Sequence, residues 1–245
     1  LVGDLFSYDE FKTAFDTILG GAGIESYSLS RFDMRFDSFD PEHYRDYAKL
    51  NRYLISALAV TYNVQNCYDS RNLFSQKQVS VAIKNKRFEC ENYDKEAESG
   101  GRDPAYARLE LRSKCLTSND IEKQFHGWYI RLDKALKNLD KVHQRYNDEL
   151  EKIYKEEKDA FPVKFRSLTD FLIQYQNCIF CKAQIIDLLS RFDEVKNPET
   201  RAKNHKKRYG IEYFSKMDVE YAVAEIKRAA EKFFKGTEMN LFEKS

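Results

Sequence analysis

The chain has 245 residues, 42% hydrophobic and 33% charged, which excludes a disordered polypeptide and supplies enough apolar material for a sizeable core. Its 41 basic and 40 acidic residues leave a net charge of +1, so bulk charge argues for no nucleic-acid partner and any basic surface has to be local. No apolar run approaches the roughly 18 residues of a membrane helix, and the start LVGDLFSYDEF carries acids where a secretion signal carries Lys or Arg, so a cytoplasmic chain with no membrane contact is expected.

The segment SLSRFDMRFDSF (28–39) alternates as a strand does, with Phe32, Met34 and Phe36 on one side and Arg31, Asp33, Arg35 and Asp37 on the other. Asp40, Pro41 and Glu42 then make a helix start, and Tyr47, Leu50, Leu54, Ile55, Leu58 and Tyr62 recur behind it at helical spacing. A second strand is expected over 78–84, where Val79, Val81 and Ile83 alternate. The third is RFECENYDKEAES (87–99), in which Glu89, Glu91, Tyr93 and Lys95 fall at successive even steps and share a face. After a Gly-rich turn comes the fourth, 105–114, where Ala107, Leu109 and Leu111 oppose Tyr106, Arg108, Glu110 and Arg112.

From residue 117 the pattern turns helical. Ile121, Phe125, Tyr129, Leu132, Leu136, Leu139 and Val142 form one apolar stripe that Pro162 breaks. Further helices are expected over about 167–191 and over MDVEYAVAEIKRAAEKFF. The order of elements, strands then helices, reads as an α+β module over 1–116 and a helical region over 117–245 that can share its core.

Five cysteines at irregular spacing argue against a disulfide framework. Cys178 and Cys181 have CxxC spacing without a second pair, so they read as buried thiols in the helix 167–191. The histidines, His43, His126, His143 and His205, are scattered.

The strands share one design: an apolar side that the helix after residue 42 can cover, and a side dense in mixed charge. A salt-bridged solvent face is the plain reading. The chemical reading starts from the carboxylates, since acids on neighbouring strands can hold a hard divalent cation. A tyrosine hydroxyl beside such a cation can attack phosphorus. Lys95, two residues beyond Tyr93, is placed to favour the phenolate or grip a phosphate.

Three blocks, in order, resemble the replication initiators of small rolling-circle plasmids, the Rep_trans group, to which relaxases of certain conjugative elements are related. Arg31-Phe32-Asp33-Met34-Arg35-Phe36-Asp37 matches the family's R-hydrophobic-D-hydrophobic-x-F-D strand. Tyr93, Asp94, Lys95 and Glu98 match its strand ending in Tyr, a polar residue, Lys and a Glu, and Arg108-Leu109-Glu110-Leu111 matches R-hydrophobic-E-hydrophobic. The blocks span about 28–115, and the helical half matches nothing in the family.

The resemblance implies a small antiparallel sheet with helices on one face, akin to that of the histidine-using nickases (HUH-nuclease-like, RRM-like), and a DNA strand nickase. Tyr93 would attack one scissile phosphate at a plasmid origin, single-stranded at the nick, leaving a 5′-phosphotyrosyl link and a 3′-hydroxyl. Lys95 would assist. Mg²⁺ or Mn²⁺ would be held by Asp33 and Glu110 first, then by Asp37 and Glu91, with Arg31, Arg35, Arg108 and Arg112 facing DNA. A homodimer and a recruited host helicase are further implications. A conjugative relaxase with the same chemistry, and a DNA-binding protein that has lost nicking, are the alternatives. Independently of the family, RAKNHKKRYG (201–210) gathers Lys203, Lys206, Lys207 and Arg208 beside Tyr209, either as sequence-blind phosphate contacts or as a solvated helix end.

Overall fold

A computed structural model of the chain describes residues 7–38, 44–64, 81–94, 99–102, 106–114, 116, 120–158, 160, 162, 164–211 and 213–235. Within these the fold is α+β, a four-stranded antiparallel sheet with eight α-helices. The strands are β1 (Arg31–Ser38), β2 (Val81–Lys84), β3 (Phe88–Asp94) and β4 (Ala107–Lys114), and their spatial order is β1-β4-β3-β2. Three of the four expected strands are thus described over most of their length; positions 78–80 of the other lie outside the described residues, as do Lys95 and Glu98.

The helix after β1, α2 (Tyr44–Thr61), is the centre of the molecule. It is buried on nearly every side from Arg52 to Ala59, as expected of a helix enclosed on several faces. One side lies on β2, β3 and β4; the others meet α3 (Ile121–Leu136), α4 (Leu139–Glu157) and α8 (Lys216–Lys235). Alternation supplies the sheet's contribution, with Met34, Ile83, Phe88, Cys90, Leu109 and Leu111 all buried towards this helix layer. Trp128 of α3 is fully buried, stands edge-on to Phe88 and donates its indole N–H to Ser113 Oγ at 3.0 Å. A ring of that size, once removed, costs about 3–5 kcal/mol. The resulting core runs without a break from Met34 to Ala230 and so draws on both halves of the chain.

Three local features depart from the sequence reading. The first is α1 (Tyr8–Gly21), a helix that the weak periodicity of the first 27 residues did not suggest. It is started by a capping box, Ser7 Oγ accepting from the Glu10 amide while the Glu10 carboxylate accepts from the Ser7 amide.

The second departure concerns the long helical stripe after residue 120, which is two helices. It breaks at Asn138, whose side-chain amide donates to Lys134 O and to Thr61 Oγ1 on α2. An Asn that bonds backbone and a neighbouring helix competes with continued helical pairing.

Third, the expected helix 167–191 is α5 (Leu168–Gln174), a 3₁₀ turn (Gln176–Cys178) and α6 (Lys182–Ser190). Gln184 holds the break: its side chain donates to Cys178 O at 2.8 Å and accepts from Phe180 N at 2.7 Å, while Cys181 caps α6. The cysteines are buried as expected, but in a turn and a cap and not within a helix. No helix among the described residues is long and apolar enough to cross a membrane.

Candidate active site on the polar face of the sheet

Period-two alternation sends Arg31, Asp33, Arg35 and Asp37 of β1 to one side of the sheet, and Glu89, Glu91 and Tyr93 of β3 and Arg108, Glu110 and Arg112 of β4 to that same side. With β4 in the middle, the register lines them up in ranks across three strands. Asp37, Arg108 and Tyr93 make one rank; Arg35, Glu110 and Glu91 the next; Asp33, Arg112 and Glu89 the third. Directly opposed side chains in such ladders lie within reach of one another.

In the first rank Arg108 grips Asp37 with two parallel bonds, Nε to Oδ1 at 2.6 Å and Nη2 to Oδ2 at 2.7 Å. The same guanidinium reaches Tyr106 Oη at 3.1 Å and Tyr93 Oη at 3.5 Å. Tyr93 itself donates to Glu110 Oε1 at 2.6 Å. Burial raises the Tyr93 phenol well above its ordinary value; the bond to Glu110 raises it further and outweighs the pull of Arg108.

Arg112 is the hub of the other two ranks. Its Nη1 lies 2.6 Å from Glu89 Oε1 and 2.8 Å from Glu91 Oε2, its Nη2 bonds Glu110 Oε2, and its Nε stands 4.0 Å from Asp33 Oδ2. That Nε is buried without a hydrogen bond. Lys114 adds a second cation at 3.2 Å from Glu89. Burial pushes Glu110 up, yet the Tyr93 hydroxyl and Arg112 more than offset it and hold the carboxyl below its usual value; Glu89 is lowered in the same way by Lys114 and Arg112. For Glu91 burial wins over Arg112, and its carboxyl is raised.

The structure therefore brings together Asp33, Asp37, Glu91, Tyr93, Arg31, Arg35, Arg108, Glu110 and Arg112, all on one face. Glu89, which had no part in the expected site, belongs to it as the third carboxylate on Arg112; its even spacing from Tyr93 was the available signal. Lys95 falls outside the described residues. The face is closely packed, since Tyr93 keeps 6% of its exposure and Arg108 8%.

The acids have the hard oxygen donors that Mg²⁺ or Mn²⁺ requires, but each is engaged by an arginine: Asp37 by Arg108, Asp33 by Arg31, and Glu89, Glu91 and Glu110 by Arg112. Among the described residues no three acids, histidines or cysteines gather in a way that could hold a metal ion. As they stand, these side chains do not fit a divalent cation; one would bind only where an ion pair opened.

Lys203, Lys206, Lys207 and Arg208 are exposed on α7 (Pro198–Tyr209), whose inner side buries Ala202 and His205. They lie on a helix of the second half and not on the sheet. The structure also pairs two residues the sequence kept apart: Cys181 Sγ is 3.5 Å from His143 Nε2, which also bonds Tyr53 Oη. The chain matches no family model, no curated protein and no solved structure.

Proposed function

We propose that the chain is a DNA strand nickase of the rolling-circle type, an origin nickase of plasmid replication or a relaxase with the same chemistry, and that Tyr93 is its nucleophile. One observation supports this reading above the others. The Tyr93 hydroxyl donates to an ionised carboxylate, Glu110, and lies beside a guanidinium, Arg108, on a sheet face that carries the expected acids.

That pairing supplies the parts of a transesterification. As Tyr93 Oη forms its bond to phosphorus, its proton passes to Glu110, the bond from phosphorus to the 3′-oxygen breaks, and the released 3′-oxygen takes up a proton from solvent. The strand is left with a 5′-phosphotyrosyl end and a 3′-hydroxyl, and the reverse transfer rejoins it. Arg108 faces the charge that develops on the phenolic and phosphoryl oxygens. Because Tyr93 is packed among these side chains, the scissile phosphate reaches it only after they part.

The test is incubation with supercoiled DNA bearing the cognate origin, with Mg²⁺ or Mn²⁺ or with chelator, followed by denaturation and a search for nicked circles carrying protein. The expected result is a covalent product that Tyr93→Phe abolishes. Equal nicking by Tyr93→Phe removes the reading. A second reading, a DNA-binding protein whose sheet face is only ion-paired scaffold, is favoured by the arginine on every described acid of the face; absence of any covalent product with the wild-type chain selects it.

A further inference from the structure

Where α4 ends against α7, the surface opens into a cleft of about 620 Å³, within the range of nucleotide-sized sites. Tyr154, Phe165 and Leu168 line it as buried residues, the two rings stacked on one another 5.3 Å apart. Around them stand four cations from four separate segments, Lys158, Arg166, Lys196 and Arg201, all of them exposed.

Among the described residues Glu194 is the one acid on the lining, and it already accepts from the Tyr154 hydroxyl and from Lys158, at 3.3 Å for the latter. Arg201 is tethered through Nη2 to Thr169 Oγ1 at 2.7 Å, which leaves the rest of its fork of donors for another partner. Among the described residues neither Arg166 nor Lys196 forms an ion pair. With Glu194 already paired to Lys158, the charges of Arg166, Lys196 and Arg201 converge on a concave surface, repel one another and focus a positive field into it. The first turn of α7 also lines the cleft, and its dipole has the same sign.

We propose that this cleft binds the phosphates of a nucleotide, either a free polyphosphate or the backbone of a single strand. The phosphates are what it recognises, not the base, because the aromatic rings on the lining are buried against each other and offer no open face for stacking. The inference does not rest on Tyr93, so a Tyr93→Phe variant that nicks normally leaves it standing.

The test measures binding of inorganic tripolyphosphate, ATP and a labelled oligonucleotide of about 12 nucleotides to the whole chain, at low and at moderate salt. The double variant Arg166→Glu/Lys196→Glu is compared with Lys134→Glu/Lys137→Glu, which makes the same charge change at exposed positions elsewhere. Circular dichroism melts confirm that both fold. The expected result is that tripolyphosphate and ATP bind alike and weaken with salt, and that the cleft variant loses roughly tenfold or more while the control keeps wild-type affinity. Loss confined to the free phosphates identifies a nucleotide site, and loss that extends to the oligonucleotide identifies a strand path; both support the cleft. Failure of all three probes to bind the wild-type chain, or equal binding by the cleft variant, overturns it.

Discussion

Tyr93 on β3 and Glu110 on β4 are not direct cross-strand partners, yet the phenol reaches diagonally to the carboxylate and donates to it at 2.6 Å. Tyr93 is opposite Arg108 and Glu110 is opposite Glu91, so the bond ties the first two ranks of the polar face together. If Glu110 takes the Tyr93 proton, Glu110→Gln lowers the rate of covalent-complex formation by about 10²–10⁴-fold while leaving DNA affinity unchanged. Single-turnover rates on origin DNA, with affinity measured in parallel, provide the check. A fall in affinity with an unchanged rate assigns Glu110 to binding instead.

Arg108 owes its position to a two-pronged grip on Asp37, with side chains 9% and 13% exposed. Lysine keeps the charge but not the fork. Arg108→Lys therefore destabilises the fold by about 1–3 kcal/mol, and Arg108→Met, which strands Asp37, costs about 3–5 kcal/mol. Urea unfolding of the three proteins measures this order, and equal stability of the lysine variant argues that the fork is dispensable.

Neighbouring carboxylates on this face have opposite signs of pH dependence. Glu110 and Glu89 are held below the ordinary value of 4.5, so they contribute stability above it that is lost as pH falls through their depressed values. Glu91 is held above 4.5 by burial, so its ionisation costs stability as pH rises through that value. At neutral pH Glu110→Gln melts below the wild type, whereas Glu91→Gln melts no lower than the wild type. Melting curves recorded towards pH 3 show the Glu110→Gln deficit shrinking; a deficit that persists there has a cause other than charge.

Cys181 and His143 form a thiol–imidazole contact, but burial raises the thiol and lowers the imidazole, which favours the neutral pair. A neutral thiol is a poor nucleophile. Iodoacetamide at neutral pH is expected to modify Cys178 and Cys181 slowly in the native chain and quickly in denaturant, read by peptide mass mapping. Rapid native labelling of Cys181 marks a thiolate and overturns this assignment.

Several features were legible in the sequence because they depend on neighbours along the chain. Alternation in β1, β3 and β4 assigned each charged residue to its face, and helical spacing in 42–62 identified the helix that covers the opposite side. The capping box of α1 was equally local, Ser7 and Glu10 being three residues apart, but a short apolar pattern gave it too little support to be recognised. The breaks at Asn138 and around Gln184 were not legible, because the bonds that fix them involve Thr61 on another helix and a backbone path no periodicity describes.

Periodicity alone determined that Tyr93, Glu110, Asp33 and Asp37 would point to one side of a sheet. Tertiary structure decided that β4 lies between β1 and β3, and so placed Arg108 between Asp37 and Tyr93, and Arg112 among three glutamates. The physical reason is that a strand's own residues fix the direction of its side chains, whereas strand order and register, which decide whether a carboxylate meets an arginine or another acid, are settled only when distant segments pair.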